Sequence, residues 1–190
     1  TALRSALRTL IERSGYENSR FRITVPRQNP AELIITLEPY HGVLAELKSK
    51  GVIVATVHIS RRNPKSKTSD WMTKRAEAKA AMPSDAYEGI IVNDADALLE
   101  GFGSNFYAVW NGKLYTADDD MVLGGISRKI IFSVAPEILP IERTPIRLQN
   151  ISVIDEAFLT SSSRGIIPIV QIDAEIIGDG AVGTITQQLM

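Results

Sequence analysis

The sequence predicts an α+β fold with a strand-rich second part, and three features carry that expectation. Helical periodicity appears at only a few places, first at Leu3, Ala6, Leu7, Leu10 and Ile11, spaced by three and four residues. Short apolar or alternating runs bounded by Gly, Pro, Asn and Asp dominate after residue 84. There is no internal repeat and no low-complexity tract, and a chain of 190 residues can bury ~70% of its unfolded surface.

Residues 2–13 form an amphipathic helix in this reading. After Ser14-Gly15 come strands over 21–25 and 33–37, separated by the turn-rich Pro26–Pro30. Glu38–Gly42 reads as a connector and places a domain boundary near 38–43, dividing residues 1–40 from residues 41–190. A short helix over 43–49 stops at Gly51, and the apolar run Val52–His58 is a strand. The basic stretch Ser60–Lys67 follows. Ser69 or Asp70 then caps a helix reaching about Ala81, with Met72, Ala76 and Ala80 on one face. Strands are expected at 87–92, 105–110 and 114–116, the last two joined by the hairpin signal Asn111-Gly112. A helix starts at Ser127 and fades near Pro136. Strands at 146–148, 157–160, 166–172 and 175–177 precede a final helix from about Gly183.

Composition narrows the chemistry. The chain has no cysteine, which excludes disulfide scaffolds, thiolate zinc sites and cysteine nucleophiles. Only two histidines, His41 and His58, are available for a metal site or a Ser-His-Asp triad. Asp118-Asp119-Asp120 lacks the spacing of a calcium loop and reads as a solvated turn, so no metal is expected. No apolar run approaches the ~20 residues of a membrane span, and the reading is a cytoplasmic chain with no secretory leader and no membrane partner. Residue 1 is Thr, so a processed or truncated piece is expected. The net charge of −1 conceals two opposed halves. Residues 1–80 carry 15 Lys and Arg against 7 Asp and Glu; residues 81–190 carry 6 against 15. A basic part of this kind suits anion binding. Nucleic acid is not the expected anion, because no aromatic residues interleave the run SRRNPKSK and the pI is about 6.1.

Four places could carry chemistry. Lys65 and Lys67 lie among Arg61 and Arg62, whose charges help to depress a lysine pKa; the competing reading is a solvated basic loop. Glu100 precedes Gly101 and Gly103, which allow close backbone approach, or which form an ordinary turn between strands. Gly124-Gly125 opens a helix whose free N–H groups suit a phosphate. Thr160–Ser163 is a hydroxyl cluster after a strand, suited to phosphate or carboxylate oxygens unless it is a plain polar loop. One lysine, one carboxylate, one phosphate-binding helix start and one hydroxyl cluster are together what pyridoxal 5′-phosphate (PLP) requires.

The order of these residues carries a family resemblance. Glu100, Asn105-Phe106-Tyr107, Leu114-Tyr115-Thr116 and Gly125-Ile126-Ser127-Arg128 are followed by Asp155–Ser162, Ile167-Pro168-Ile169, and the glycines 178, 180 and 183. This series resembles the class IV PLP enzymes: branched-chain aminotransferases, D-amino-acid aminotransferases and 4-amino-4-deoxychorismate lyases. The resemblance implies a small α/β domain, incomplete at its N-terminus, followed by a strand-rich PLP-binding domain of the fold type IV kind. It puts Lys67 at the Schiff-base position, with Lys65 out of register, and Glu100 opposite the pyridine nitrogen. It further implies that Ile126, Ser127 and Ser162 bind the phosphate and that the backbone at Ser163 binds the substrate carboxylate. Arg22 and Arg27 fall where relatives place arginines for substrate carboxylates.

The activity implied is transfer of an amino group from an amino acid to a 2-oxo acid, in a homodimer. The alternatives are the lyase reaction, giving 4-aminobenzoate and pyruvate, and a non-catalytic fragment or fold relative. The sequence makes three departures from the family pattern. Asp70-Trp71 replaces Asn-Tyr, Phe102 stands where small residues are usual and is expected to narrow the pocket, and Ala117 replaces Pro.

Overall fold

The computed structural model describes residues 2–59 and 69–190, and the chain divides into two compact units, Thr1–Val43 and Leu44–Met190. In the first, helix α1 (Ala2–Ser14) ends at Gly15, whose φ of 67° is the left-handed conformation that closes many helices. Strands β1 (Ser19–Thr24) and β2 (Ile34–Pro39) then pair antiparallel, from Ser19 opposite Pro39 to Thr24 opposite Ile34. Arg20 bonds Glu38 directly across this ladder, but both side chains are more than half exposed, so the pair adds little. No residue from 2 to 43 is buried.

The second unit holds the core. Helix α2 (Ala45–Lys50) leads through Gly51 into β3 (Val52–His58). Gly51 has a φ of 76°, and a Cβ there would stand 2.5 Å from Val170 Cγ1, so glycine serves both the turn and the close approach. Helix α3 (Ser69–Ala80) precedes β4 (Glu88–Val92), all five residues of which are buried. Strands β5 (Leu98–Gly101), β6 (Asn105–Trp110) and β7 (Lys113–Tyr115) follow, then α4 (Ile126–Val134) and β8 (Ile141–Glu142). The chain continues through β9 (Glu156–Ser161), β10 (Gly165–Ile172) and β11 (Glu175–Ile176) to helix α5 (Thr184–Leu189).

The sheet order is β11-β10-β3-β4-β5-β6-β7-β8, and β9 pairs with both β6 and β10. The pairings therefore close a ring, β10-β3-β4-β5-β6-β9, with β11 and β7-β8 as extensions. Along β6 and β9 the side chains alternate. One face carries Phe106, Ala108, Ala157 and Leu159, all buried. The other carries Tyr107, Val109 and Phe158, which pack with Ile131 and Ala135 around α4; the Tyr107 and Phe158 rings stack at 4.9 Å.

Residues 146–148 and the strands β5 and β8 differ from the expected elements. Residues 146–148 are not a strand: a single bridge joins Arg147 to Ala97, and a 3-10 turn begins at Leu148. Leu98 N–H donates to Ile146 O and Leu148 N–H to Asp96 O, so the backbone groups are satisfied without a ladder. The helix expected to fade near Pro136 ends at Val134 and tightens into a 3-10 turn, Ala135–Glu137, whose first positions need no proline N–H. Strands β5 and β8 have no expected counterpart, because two leucines before Glu100-Gly101 and the pair Ile141-Glu142 are too short to signal one. Asn111 and Gly112 do turn the β6–β7 hairpin, with φ of 49° and 70°.

Candidate active site

The site is built on one cross-strand row. Glu100 on β5 stands opposite Asn105 on β6, and Asn105 stands opposite Thr160 on β9. Opposed residues share a face of the sheet, so the three side chains emerge together on the α4 side. All three residues are buried. Between this row and the start of α4 lies a cavity of about 240 Å³, bordered by Glu100, Ser104, Ile126, Ser127, Thr160 and Ser162 among others.

The loop from Leu123 to Gly125 closes the cavity toward α4. Leu123 N–H donates to Glu100 Oε2 at 2.9 Å, and Asn105 Nδ2 donates to Leu123 O at 2.9 Å. A Cβ on Gly125 would collide with Asn105 Oδ1, so the loop passes where only glycine fits. Gly125 is the N-cap of α4 and offers no side chain to the first turn. The backbone N–H groups at Ile126 and Ser127 therefore begin a nine-residue helix beside the cavity with no side-chain cap, which favours an anion there.

Behind the helix start, Arg128 is 1% exposed. Its guanidinium donates to Thr116 Oγ1 at 2.7 Å, Ala117 O at 2.5 Å and Asp119 Oδ1 at 3.0 Å. Asp119 also bonds Arg143, and both guanidinium groups lie over the Phe132 ring. Tyr107 is buried on the same face, and its phenol is pushed up to about 12, chiefly by burial, with the Arg128 charge opposing. Arg128 and Thr160 approach the phenol, but neither meets hydrogen-bond geometry.

A second charged cluster fixes the opposite wall. Glu88 accepts from Gly103 N–H at 2.6 Å and from Arg164 Nη1 at 2.6 Å. Arg164 also donates to Ser161 Oγ and Gly103 O, which ties the ends of β4, β5 and β9 together. Burial works against the Arg164 charge, but the Glu88 carboxylate more than offsets it, and the pKa is raised. Arg75 Nη1 donates to Phe102 O. Phe102 borders the cavity, but its ring tip packs over Gly89, where a Cβ would stand 2.6 Å away, and joins Ile91 and Met82.

Of the residues named from the sequence, Glu100, Ile126, Ser127 and Ser162 border this one cavity. Ser163 is exposed in the turn from β9 to β10, next to Ser162. Arg22 lies on β1 and Arg27 in the turn after it, both exposed, in the first unit. Lys67 falls outside the described residues, as does Lys65. Glu88, Arg164 and Asp119 carry no role in the sequence reading. The available signal for Glu88 was a single charge inside the apolar run Tyr87–Val92. No Lys or Arg borders the cavity among the described residues, and the nearby Arg75 and Arg164 are engaged by Phe102 O and Glu88.

The cavity fits PLP on three grounds. A carboxylate sits on one side and an uncapped helix start on the other. Ser127 and Ser162 add hydroxyls to its border. Finally, Ser104 Oγ and Thr160 Oγ1 are buried at its wall with no hydrogen-bond partner, a costly state that a polar ligand can relieve.

Comparison with known proteins places this ring of strands, with its helix start beside a buried carboxylate, in a family. The family described as amino-transferase class IV matches residues 1–172. A probable branched-chain-amino-acid aminotransferase of Aquifex aeolicus is 30% identical over 150 residues, covering 74% of this chain and 48% of that protein. A D-alanine aminotransferase of Staphylococcus epidermidis is 37% identical over 101 residues, 52% of this chain and 36% of that protein. Among solved structures, the T.th. branched-chain amino acid aminotransferase with pyridoxamine 5′-phosphate superposes with a TM-score of 0.83 at 23% identity, over 98% of this chain and 68% of that one. The 4-amino-4-deoxychorismate lyase of Pseudomonas aeruginosa gives 0.79 at 21%, over 99% and 74%. The chain belongs to the class IV aminotransferase family and has its fold. It spans about half the length of the first curated relative, or less for the second.

Proposed function

We propose that this chain acts as a PLP-dependent aminotransferase, passing an amino group from an amino acid to a 2-oxo acid, with Lys67 as the residue that bonds the cofactor. The observation that carries this reading is the placement of the Glu100 carboxylate and the uncapped start of α4 on one cavity of about 240 Å³. When bound, PLP supplies an electron sink for the substrate α-carbon. The residues of this chain supply the rest. Glu100 holds a proton on the ring nitrogen, which keeps that sink effective. Amides at Ile126 and Ser127, with the hydroxyls of Ser127 and Ser162, take the phosphate oxygens. The Lys67 amine accepts the α-proton and returns it one position away, as base and then acid. Backbone at Ser163 binds the substrate carboxylate, Arg22 and Arg27 are carboxylate ligands offered by the first unit, and the working unit is a homodimer.

Absorption titration of the purified chain with PLP tests this first. Borohydride treatment should then leave a pyridoxyl group on the peptide containing Lys67, and Lys67→Ala should take up none. A chain that stays colourless with added PLP refutes the reading. Glu100→Ala should retain PLP but lose roughly a hundredfold or more in turnover. Pyruvate release from aminodeoxychorismate without any 2-oxo acid separates the lyase alternative, and light scattering on the purified chain reads the assembly.

A further inference from the structure

Asn105 belongs to the sequence motif but has no role in the reaction just described. Its side chain occupies the middle of the row Glu100–Asn105–Thr160 and is 5% exposed. It grips the loop before α4 in two ways. Nδ2 donates to Leu123 O, and Oδ1 fills the space a Cβ on Gly125 would need. The same Leu123 donates its N–H to Glu100 Oε2. One residue thus receives a hydrogen bond from Asn105 at its carbonyl and gives one to Glu100 at its amide, while Glu100 and Asn105 face each other across the β5–β6 ladder. Leu123 is two residues from Gly125, the N-cap of α4.

We propose that Asn105 is a positioning residue: by locking Leu123 it holds the Glu100 carboxylate and the start of α4 in a single frame. The inference rests on the cavity being a PLP site, where these two features face opposite ends of the same ligand. A frame shared by both ends has a specific consequence. Loosening Leu123 disturbs the Glu100 carboxylate as well as the amides at the start of α4, because both are tied to the one loop residue that Asn105 holds.

The test compares Asn105→Asp with the native chain. The substituted carboxylate keeps the shape but loses the Nδ2 donor and turns an acceptor toward Leu123 O. Dissociation constants are measured for PLP and for pyridoxal, which lacks the phosphate, together with the visible absorption band of bound cofactor at fixed pH. We expect both constants to rise, that for PLP by about tenfold or more, and the band to move. Val109→Ala, on the same strand but in the apolar cluster beside α4, serves as the control for lost stability. It should lower the melting temperature while leaving the band and the ratio of the two constants in place.

If Asn105→Asp does not fold, Asn105→Ser carries the same readouts and adds another. Gly125→Ala should weaken PLP binding by collision with Oδ1, and Asn105→Ser in that background should recover part of it. Native-like constants and an unmoved band in the Asn105 variants would overturn the proposal while leaving the PLP site standing. A native chain that binds no PLP at all would remove both.

Discussion

Tyr107 shows what burial does to a single polar atom. Its ring contributes to the cluster beside α4, but its hydroxyl finds no partner of good geometry there. With a pKa near 12 in the folded chain against 10.0 for the free group, the phenol stays neutral while its unfolded counterpart ionises. The stability this contributes is complete below pH 10 and is lost as pH rises toward 12, by roughly 2–3 kcal/mol. Tyr107→Phe should therefore be as stable as the native chain at pH 8, or more so by about 1 kcal/mol, and should lose less between pH 10 and 12. Chemical denaturation across that range measures both effects.

Arg164 and Glu88 make the opposite case, two charges that need each other. Arg164→Ala leaves the buried Glu88 carboxylate with Gly103 N–H alone, and the expected cost is about 2–4 kcal/mol. Glu88→Gln in the same chain should recover part of it, by the same denaturation measurement. Neither residue was legible as a partner, since 76 residues separate them and nothing local marks the pairing. Glu100 was legible, because a lone carboxylate that follows an apolar pair and precedes two closely spaced glycines, Gly101 and Gly103, is an uncommon local pattern.

Among the elements, α4 and α5 begin in different ways. The start of α4 has no side-chain cap, whereas α5 begins over Glu156, whose carboxylate accepts Ile185 N–H, Thr186 N–H and Thr186 Oγ1 at 3.0, 2.7 and 2.8 Å. Gly183 leaves room for that carboxylate, and a Cβ there would overlap it. Glu156→Ala should cost about 1–2 kcal/mol and release the amides of 185 and 186 to rapid hydrogen exchange; Gly183→Ala should do the same by displacing the carboxylate. The element starts that carry a local signal, glycine before α4 and Asn-Gly between β6 and β7, are visible in the sequence. Pairing is not: β9 reaches β6 through contacts some fifty residues apart, and 146–148 resembles a strand although its hydrogen bonds go to single partners. A short apolar run does not say whether a neighbouring strand will be there to receive it.

At the scale of the molecule, burial is unevenly shared. None of the described residues of the first unit is buried, while the second has a closed ring of strands with apolar side chains on both faces. A two-stranded ribbon with one helix and no buried side chain has little stability of its own. Limited proteolysis should cut first within residues 2–43 and leave a fragment close to 44–190 with its secondary structure intact, read by mass spectrometry and circular dichroism. The charge asymmetry of the sequence divides differently from these units. The basic excess extends to residue 80, whereas the described cavity border comes from residues 100–162 and uses amides, hydroxyls and a carboxylate in place of cations.

The two unpartnered hydroxyls at the cavity wall, Ser104 and Thr160, also bear on how long the protein persists in a cell. While they are unsatisfied, the folded state is held below the stability its packing would otherwise allow, and a ligand that satisfies them binds the folded chain alone. At a hundredfold excess over its dissociation constant, such a ligand adds about 2.7 kcal/mol, which lowers the unfolded fraction roughly a hundredfold. Proteases that act on the unfolded fraction would then remove the empty chain faster than the filled one, so ligand supply sets abundance through turnover.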